Sequence, residues 1–317
     1  MSVFVTAGGS EKVMIDGVRA KRHMELNSTF NVLGVGGTTV YADPLIKHLI
    51  DGNTIYSKFT SAIYRNELYV LYQYVVIHSG YNSYYPILIK WNGTAWSSVS
   101  KPFNSKEHNV VDMTVYNDEL HVVAQRNDDD YDGILHYKYN GDAWTELGHF
   151  ATNIAYNKQI HLAALSDRLV AIIMYATKQA HVYSMQSSDA SLTLAKTYNI
   201  DVTPASMQNS VIINDIVYLF SESTTDYLVY DGSAFTKRTA PYNTVGACKH
   251  DDVAYLILNG NRLYTFNGSV FTEVMTLPKT VSTCEVSVIG NMLHTLGGTT
   301  NAEFNTFNLL PLYMEDV

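Results

Sequence analysis

Residues 134–147 read ILHYKYNGDAWTEL: a β-prone run, an Asn140-Gly141 turn, and a second run that opens on Trp144. Asn-Gly between two such runs signals a tight hairpin, because both central residues of a type I′ turn take positive φ. The pattern recurs as ILIKWNGTAWSSV at 87–99, DYLVYDGSAFTKR at 226–238 and RLYTFNGSVFTEV at 262–274, with turns at Asn92-Gly93, Asp231-Gly232 and Asn267-Gly268. The aromatic after each turn (Trp96, Trp144, Phe235 or Phe271) is expected to pack between neighbouring units.

A second hairpin precedes each of these. It reads IYRNELYVLY, VYNDELHVVA, LSDRLVAII, INDIVYLF, HDDVAYLIL and IGNMLHTLGG, with turn residues Asn66, Asp118, Asp167, Asp215, Asp252 and Asn291. Those six turns, 37 to 52 residues apart, count six units. The third unit has lost its Asn-Gly turn (YSMQSSDASLTL), but the 91 residues from Gly141 to Gly232 leave room for it. Two hairpins in series make a four-stranded meander, strands a to d, which cannot bury both faces alone. Packing such sheets around an axis buries both, so the expected fold is all-β: a six-bladed β-propeller over 59–317, preceded by a β-rich N-terminal arm, 1–58. In the last unit Pro311 argues against a regular fourth strand in LLPLYMEDV. Either Leu309–Tyr313 forms a poor outer strand, or the arm supplies one and closes the ring. The arm could also dock another subunit or make a seventh, atypical blade.

The a-strand, polar turn, apolar b-strand, Tyr-bearing c-strand and Trp-opened d-strand together resemble the Kelch repeat. The Gly-Gly doublet of that repeat occurs only in the last unit, at Gly297-Gly298. The Asn-Gly-x-Ala-Trp-Thr variant is similar to propeller repeats of bacteriophage tail and baseplate proteins. That resemblance implies a virion component, present in several copies, made in the host cytoplasm and bound to other tail proteins.

Composition narrows the chemistry. A net charge of −9 lacks the basic surface that tracks phosphates, so nucleic acid is not an expected partner. No apolar run is long enough for a bilayer helix, and MSVFVTAGGS lacks the regions of a signal peptide, so no membrane insertion is expected. Cys248 and Cys284, one repeat apart, read as two buried free thiols on equivalent strands of neighbouring blades. The eleven histidines show no His-x-His or His-x-x-x-His pairing, and no Gly-x-Ser-x-Gly elbow occurs. The chain is therefore read as a non-enzyme without a cofactor.

Recognition is expected on the face that carries the b–c and d–a loops, where loop length varies. The first b–c loop, VVIHSGYNSYYP, offers His78, Tyr81, Asn82, Tyr84 and Tyr85 as ligand contacts, with Tyr131 from the second. Tyr72 and Tyr74 read instead as strand residues. In the second loop Asp128, Asp130 and Asp132 with Gly133 match the opening of a calcium loop, but His136 and Tyr139 stand where further ligands belong. A solvated acidic turn is the alternative. The expected function is that of a non-enzymatic tail or baseplate subunit binding a host-surface glycopolymer or a neighbouring tail subunit. The alternatives are an intracellular Kelch-type adaptor and an unrecognised carbohydrate-active enzyme.

Overall fold

The computed structural model describes residues 3–5, 12–15, 18–21, 38–39, 55–56, 59–77, 82–92, 96–102, 108–128, 131–152, 158–277, 280–281, 284–289, 292–297, 303–308 and 313–314. It is a β-propeller of antiparallel sheets. Four blades are uninterrupted meanders, over residues 108–152, 158–199, 207–239 and 244–276. A fifth combines Cys284–Ile289, Met292–Gly297 and Glu303–Asn308 with Thr38–Thr39, which pairs with Thr306 and Asn305. The outer strand of the last blade thus comes from the N-terminal region. Tyr313–Met314 pairs instead with Val18–Lys21, in a small sheet that also holds Val3–Val5 and Lys12–Ile15 and is not one of the blades.

The expectation of six four-stranded blades is corrected: the propeller has five, and the sheet of residues 55–99 is built differently, with five strands. The cause is its second strand. Glu67–Ile77 runs unbroken for 11 residues, whereas the inner strand Thr60–Tyr64 covers only its first half. Ile55–Tyr56 pairs with Val75 and Tyr74 and so covers part of the rest.

The tight turns also differ from expectation. Type I′ geometry belongs to three of the a–b hairpins: Arg65 and Asn66 (φ 51° and 63°), Asn117 and Asp118 (50° and 59°), and Asn214 and Asp215 (51° and 60°) are two-residue loops of left-handed residues. The Asn-Gly turns are four-residue loops. Tyr139 pairs with Trp144, and Asn140 Oδ1 accepts the N–H groups of Asp142 and Ala143, both at 2.9 Å. That side-chain bond replaces part of the backbone turn, so positive φ falls on Gly141 alone (99°).

Each turn is braced by the two aromatics flanking it. Tyr139 stacks on Trp144 at 4.9 Å, Tyr230 on Phe235 at 4.8 Å, and Phe266 on Phe271 at 4.4 Å between ring centres. The same rings reach the preceding sheet. Phe235 meets Tyr198 edge-on at 5.2 Å, and Trp144 Nε1 donates to Ser100 O at 2.7 Å.

Neighbouring sheets share apolar clusters. One joins Leu71 and Leu88 to Leu120, Val122 and Leu135, and another joins Val123 and Ile134 to Ile160 and Ile173. Each side chain so buried contributes about 1.5–3 kcal/mol.

Inside this apolar shell the innermost strands are tied by a girdle of polar contacts. Ser61 Oγ lies 2.9 Å from Ser287 Oγ. Thr60 Oγ1 donates to Asp112 Oδ1 at 3.0 Å, and Asp112 Oδ2 accepts the Leu162 N–H at 2.8 Å, so one carboxylate joins three sheets. His161 Nε2 donates to Met207 O and Asn209 Nδ2 to Thr244 O, both at 2.8 Å. At the next junction the strands approach too closely for a side chain. A Cβ on Gly246 would lie 2.5 Å from Val286 Cγ2 and 3.0 Å from Cys284 O. Register shifts precede Asp112, Asn209 and Gly246 alike, which marks a bulge repeated in three blades. Cys248 and Cys284 are free and sit on adjacent inner strands; Cys284 is buried and Cys248 half-buried.

Asp112→Ala leaves the Leu162 N–H and the Thr60 hydroxyl without their acceptor, so a loss of about 3 kcal/mol is expected in urea denaturation. Asp201→Ala, which removes an exposed partner of Lys178, should change stability by no more than about 0.5 kcal/mol.

A buried imidazole pair makes the interface between blades 108–152 and 158–199 acid-sensitive. His121 Nδ1 and His136 Nε2 are 2.9 Å apart, and both residues are almost wholly buried. Burial holds their pKa values down to about 4 and about 3. His294, also buried, is held down to about 4 for the same reason. In the unfolded chain each imidazole takes up its proton near pH 6.5, so stability is complete above that value and drains away as pH falls from 6.5 toward 3. The loss at pH 5 should be about 2 kcal/mol per imidazole. Thermal melts at pH 7.5 and 5 should differ clearly for the wild type and less for the double variant His121→Leu/His136→Leu; an equal difference in both would contradict this assignment.

Candidate functional site

The residues expected to bind ligand divide by position. His78, Tyr81 and Asp130 lie outside the described residues. Asn82, Tyr84 and Tyr85, expected in a loop, stand instead in the strand Asn82–Trp91, paired with Ile77, Val75 and Tyr74. Tyr72 is a strand residue and fully buried. In the second hairpin Asp128 pairs with Tyr131 and Asp132 with Asn127. Tyr131–Tyr139 runs as a strand, where a calcium loop would keep curving around its ion. Among the described residues no group of three metal-ligating side chains converges.

The described side chains do form a polar and aromatic cluster on the b–c/d–a face, at the edge of blade 244–276. Tyr242 belongs to the connection from the preceding blade, and that connection is pinned from three sides. Ala240 N–H donates to Thr225 O at 2.7 Å, Asn243 Nδ2 to Glu222 O at 2.7 Å, and Asn259 N–H to Asn243 O at 2.9 Å. Arg262 opens the strand Arg262–Phe266, directly after the turn at Asn259 and Gly260, where both φ values are positive. Tyr264 and Glu273 face each other across the ladder, next to a register shift.

These positions bring four groups together. Arg262 Nη1 lies 3.3 Å from Tyr242 Oη and 3.5 Å from Glu273 Oε2, and its guanidinium carbon is 5.1 Å from the centre of the Tyr242 ring. Tyr264 Oη donates to the same Glu273 oxygen at 2.8 Å. Burial pushes the Tyr264 phenol above its ordinary pKa, which keeps this donor protonated. The Arg262 and Glu273 side chains are 40% and 41% exposed, so their heads reach solvent.

The long contacts of Arg262 leave most of its donor fork available, and only Oε2 of Glu273 is engaged by described residues. The cluster therefore presents a planar donor, an acceptor, a phenol and an aromatic ring within one patch. Such a set suits adjacent hydroxyls on a ring whose C–H face is apolar.

Part of this was readable beforehand. Tyr264 and Glu273 straddle an Asn-Gly turn nine residues apart, and Tyr137 and Glu146 do the same in blade 108–152, again as a cross-strand pair. Arg262 and Tyr242 carry no such signal, because only folding the d–a connection over the turn brings them side by side.

No protein-family model matches the chain, and no curated protein does. Solved structures do match its fold. The SapL1 lectin, solved with alpha methyl fucoside, is 10% identical with a TM-score of 0.54; the match covers 82% of this chain and 95% of the lectin. The GH93 alpha-L-arabinofuranosidase of Fusarium graminearum, solved with arabinobiose, is 8% identical with a TM-score of 0.57, over 86% and 98% of the two chains. AofleA from Arthrobotrys oligospora is 11% identical with a TM-score of 0.56, over 84% and 88%. A glycoside hydrolase is thus among the proteins of like fold, so the expectation that the chain is not an enzyme is withdrawn: the architecture gives no ground for it. What these likenesses establish is that the chain folds as a β-propeller.

Proposed function

We propose that this propeller binds glycans, and that Tyr242, Arg262, Tyr264 and Glu273 form its saccharide site. The observation that carries the proposal is the Arg262–Glu273 pair set beside the Tyr242 ring on a pinned connection. A charged donor and acceptor side by side match vicinal hydroxyls, and the ring supplies the apolar platform. Support comes from two proteins of like fold that were solved holding saccharides. The setting we propose is the tail or baseplate of a bacteriophage, with a host-surface glycopolymer as ligand. It is supported by the repeat variant at Asn140-Gly141-Asp142-Ala143-Trp144.

A glycan array probed with the wild-type protein should give a defined set of hits. Arg262→Met and Tyr242→Ala should each weaken them at least about tenfold, while Tyr242→Phe, which keeps the ring, should cost only a few-fold. Lys196→Ala, on a different blade, should bind as the wild type does. A blank array, or equal binding by Arg262→Met and Tyr242→Ala, would remove the proposal. Incubating the hits and assaying for reducing ends decides whether recognition is followed by hydrolysis.

A further inference from the structure

The innermost strands enclose an axial cavity of ≈ 360 Å³, room for about a dozen waters. Its spare bonding capacity is unevenly distributed. The carboxylates on its wall and at its mouth are engaged: Asp112 by Thr60, Met113 and Leu162, Glu285 by Ser61, and Asp215 by the N–H and hydroxyl of Ser166 at 2.8 and 2.5 Å. Lys249, an exposed residue, lines both the cavity and its mouth at the a–b turns and makes no hydrogen bond or ion pair with a described residue. Val115, Ala164 and Ile212 line the mouth with it, and Ile63 lines the cavity wall. Ile63 is 37% exposed, one of few large apolar side chains so open.

We propose that this cavity is a second binding site, separate from the saccharide cluster, and that it takes a small carboxylate with a short aliphatic body. The carboxylate pairs with Lys249, and the body covers the apolar collar of Ile63, Val115, Ala164 and Ile212. A compact inorganic anion leaves the collar uncovered. Asp215, close enough to feel the Lys249 charge, keeps the affinity modest. Burying an aliphatic body of a few methylenes contributes about 0.8 kcal/mol each, so chain length should set the affinity.

The probe is sodium hexanoate, titrated into full-length protein carrying ¹³C-labelled isoleucine methyls. Saturable shifts of Ile63 and Ile212 are expected, with hexanol and acetate at least about tenfold weaker. Lys249→Met should weaken hexanoate binding by at least about tenfold, and Ile63→Glu, which adds a carboxylate to the cavity wall, should do the same. Arg262→Met should leave it unchanged, which separates this site from the saccharide cluster. The proposal fails if Ile63 and Ile212 show no saturable shift up to about 50 mM hexanoate, or if Lys249→Met binds as tightly as the wild type.

Discussion

A backbone amide held between two sheets needs an acceptor, and at the centre of this propeller the Asp112 carboxylate provides one to Leu162 while also taking the Thr60 hydroxyl. That requirement governs the architecture. A four-stranded sheet has two apolar faces and an inner edge of unpaired polar groups. The faces are covered by neighbouring sheets, but the inner edge lies too near the axis for another strand. Side chains of the inner strands solve this by bonding to the next sheet: Asp112, His161 and Asn209 with hydrogen bonds, and Gly246 by leaving room for direct approach. Bulges precede Asp112, Asn209 and Gly246 alike, while the strand that carries His161 pairs without one, so the girdle recurs from sheet to sheet although its residue types differ.

The repeat was legible because turns and aromatic pairs recur at fixed offsets, and those features depend on local chemistry. Where the reading missed, a longer-range effect decided. Asn-Gly predicts a two-residue turn, but the Asn side chain caps the loop itself and widens it to four residues. The left-handed pairs fall instead at Arg65-Asn66 and its equivalents, with no glycine to announce them. The five-stranded sheet follows from the length of Glu67–Ile77, whose second half needs a partner that the repeat does not supply. Thr38–Thr39, far away in sequence, completes the last blade, a pairing to which local pattern is blind.

Function was less legible than fold for the same reason. The tyrosine-rich and acidic stretches drew attention by composition, yet their backbones continue β-ladders at Tyr84, Tyr85, Asp128, Tyr131 and Asp132. The cluster at Tyr242, Arg262, Tyr264 and Glu273 draws on a connection, a strand start and a cross-strand pair, none conspicuous alone. It lies on the b–c/d–a face, away from the tight a–b turns. On the axis, the cavity keeps its acids engaged and leaves one lysine among aliphatic side chains, so the two sites call for ligands of different chemistry.

The most direct test of glycan recognition is a crystal structure of the protein with an oligosaccharide selected by binding. The account expects a sugar ring over Tyr242 with hydroxyls within about 3 Å of Arg262 and Glu273. A saccharide bound elsewhere, for instance against residues 78–81, with the cluster empty, would contradict it.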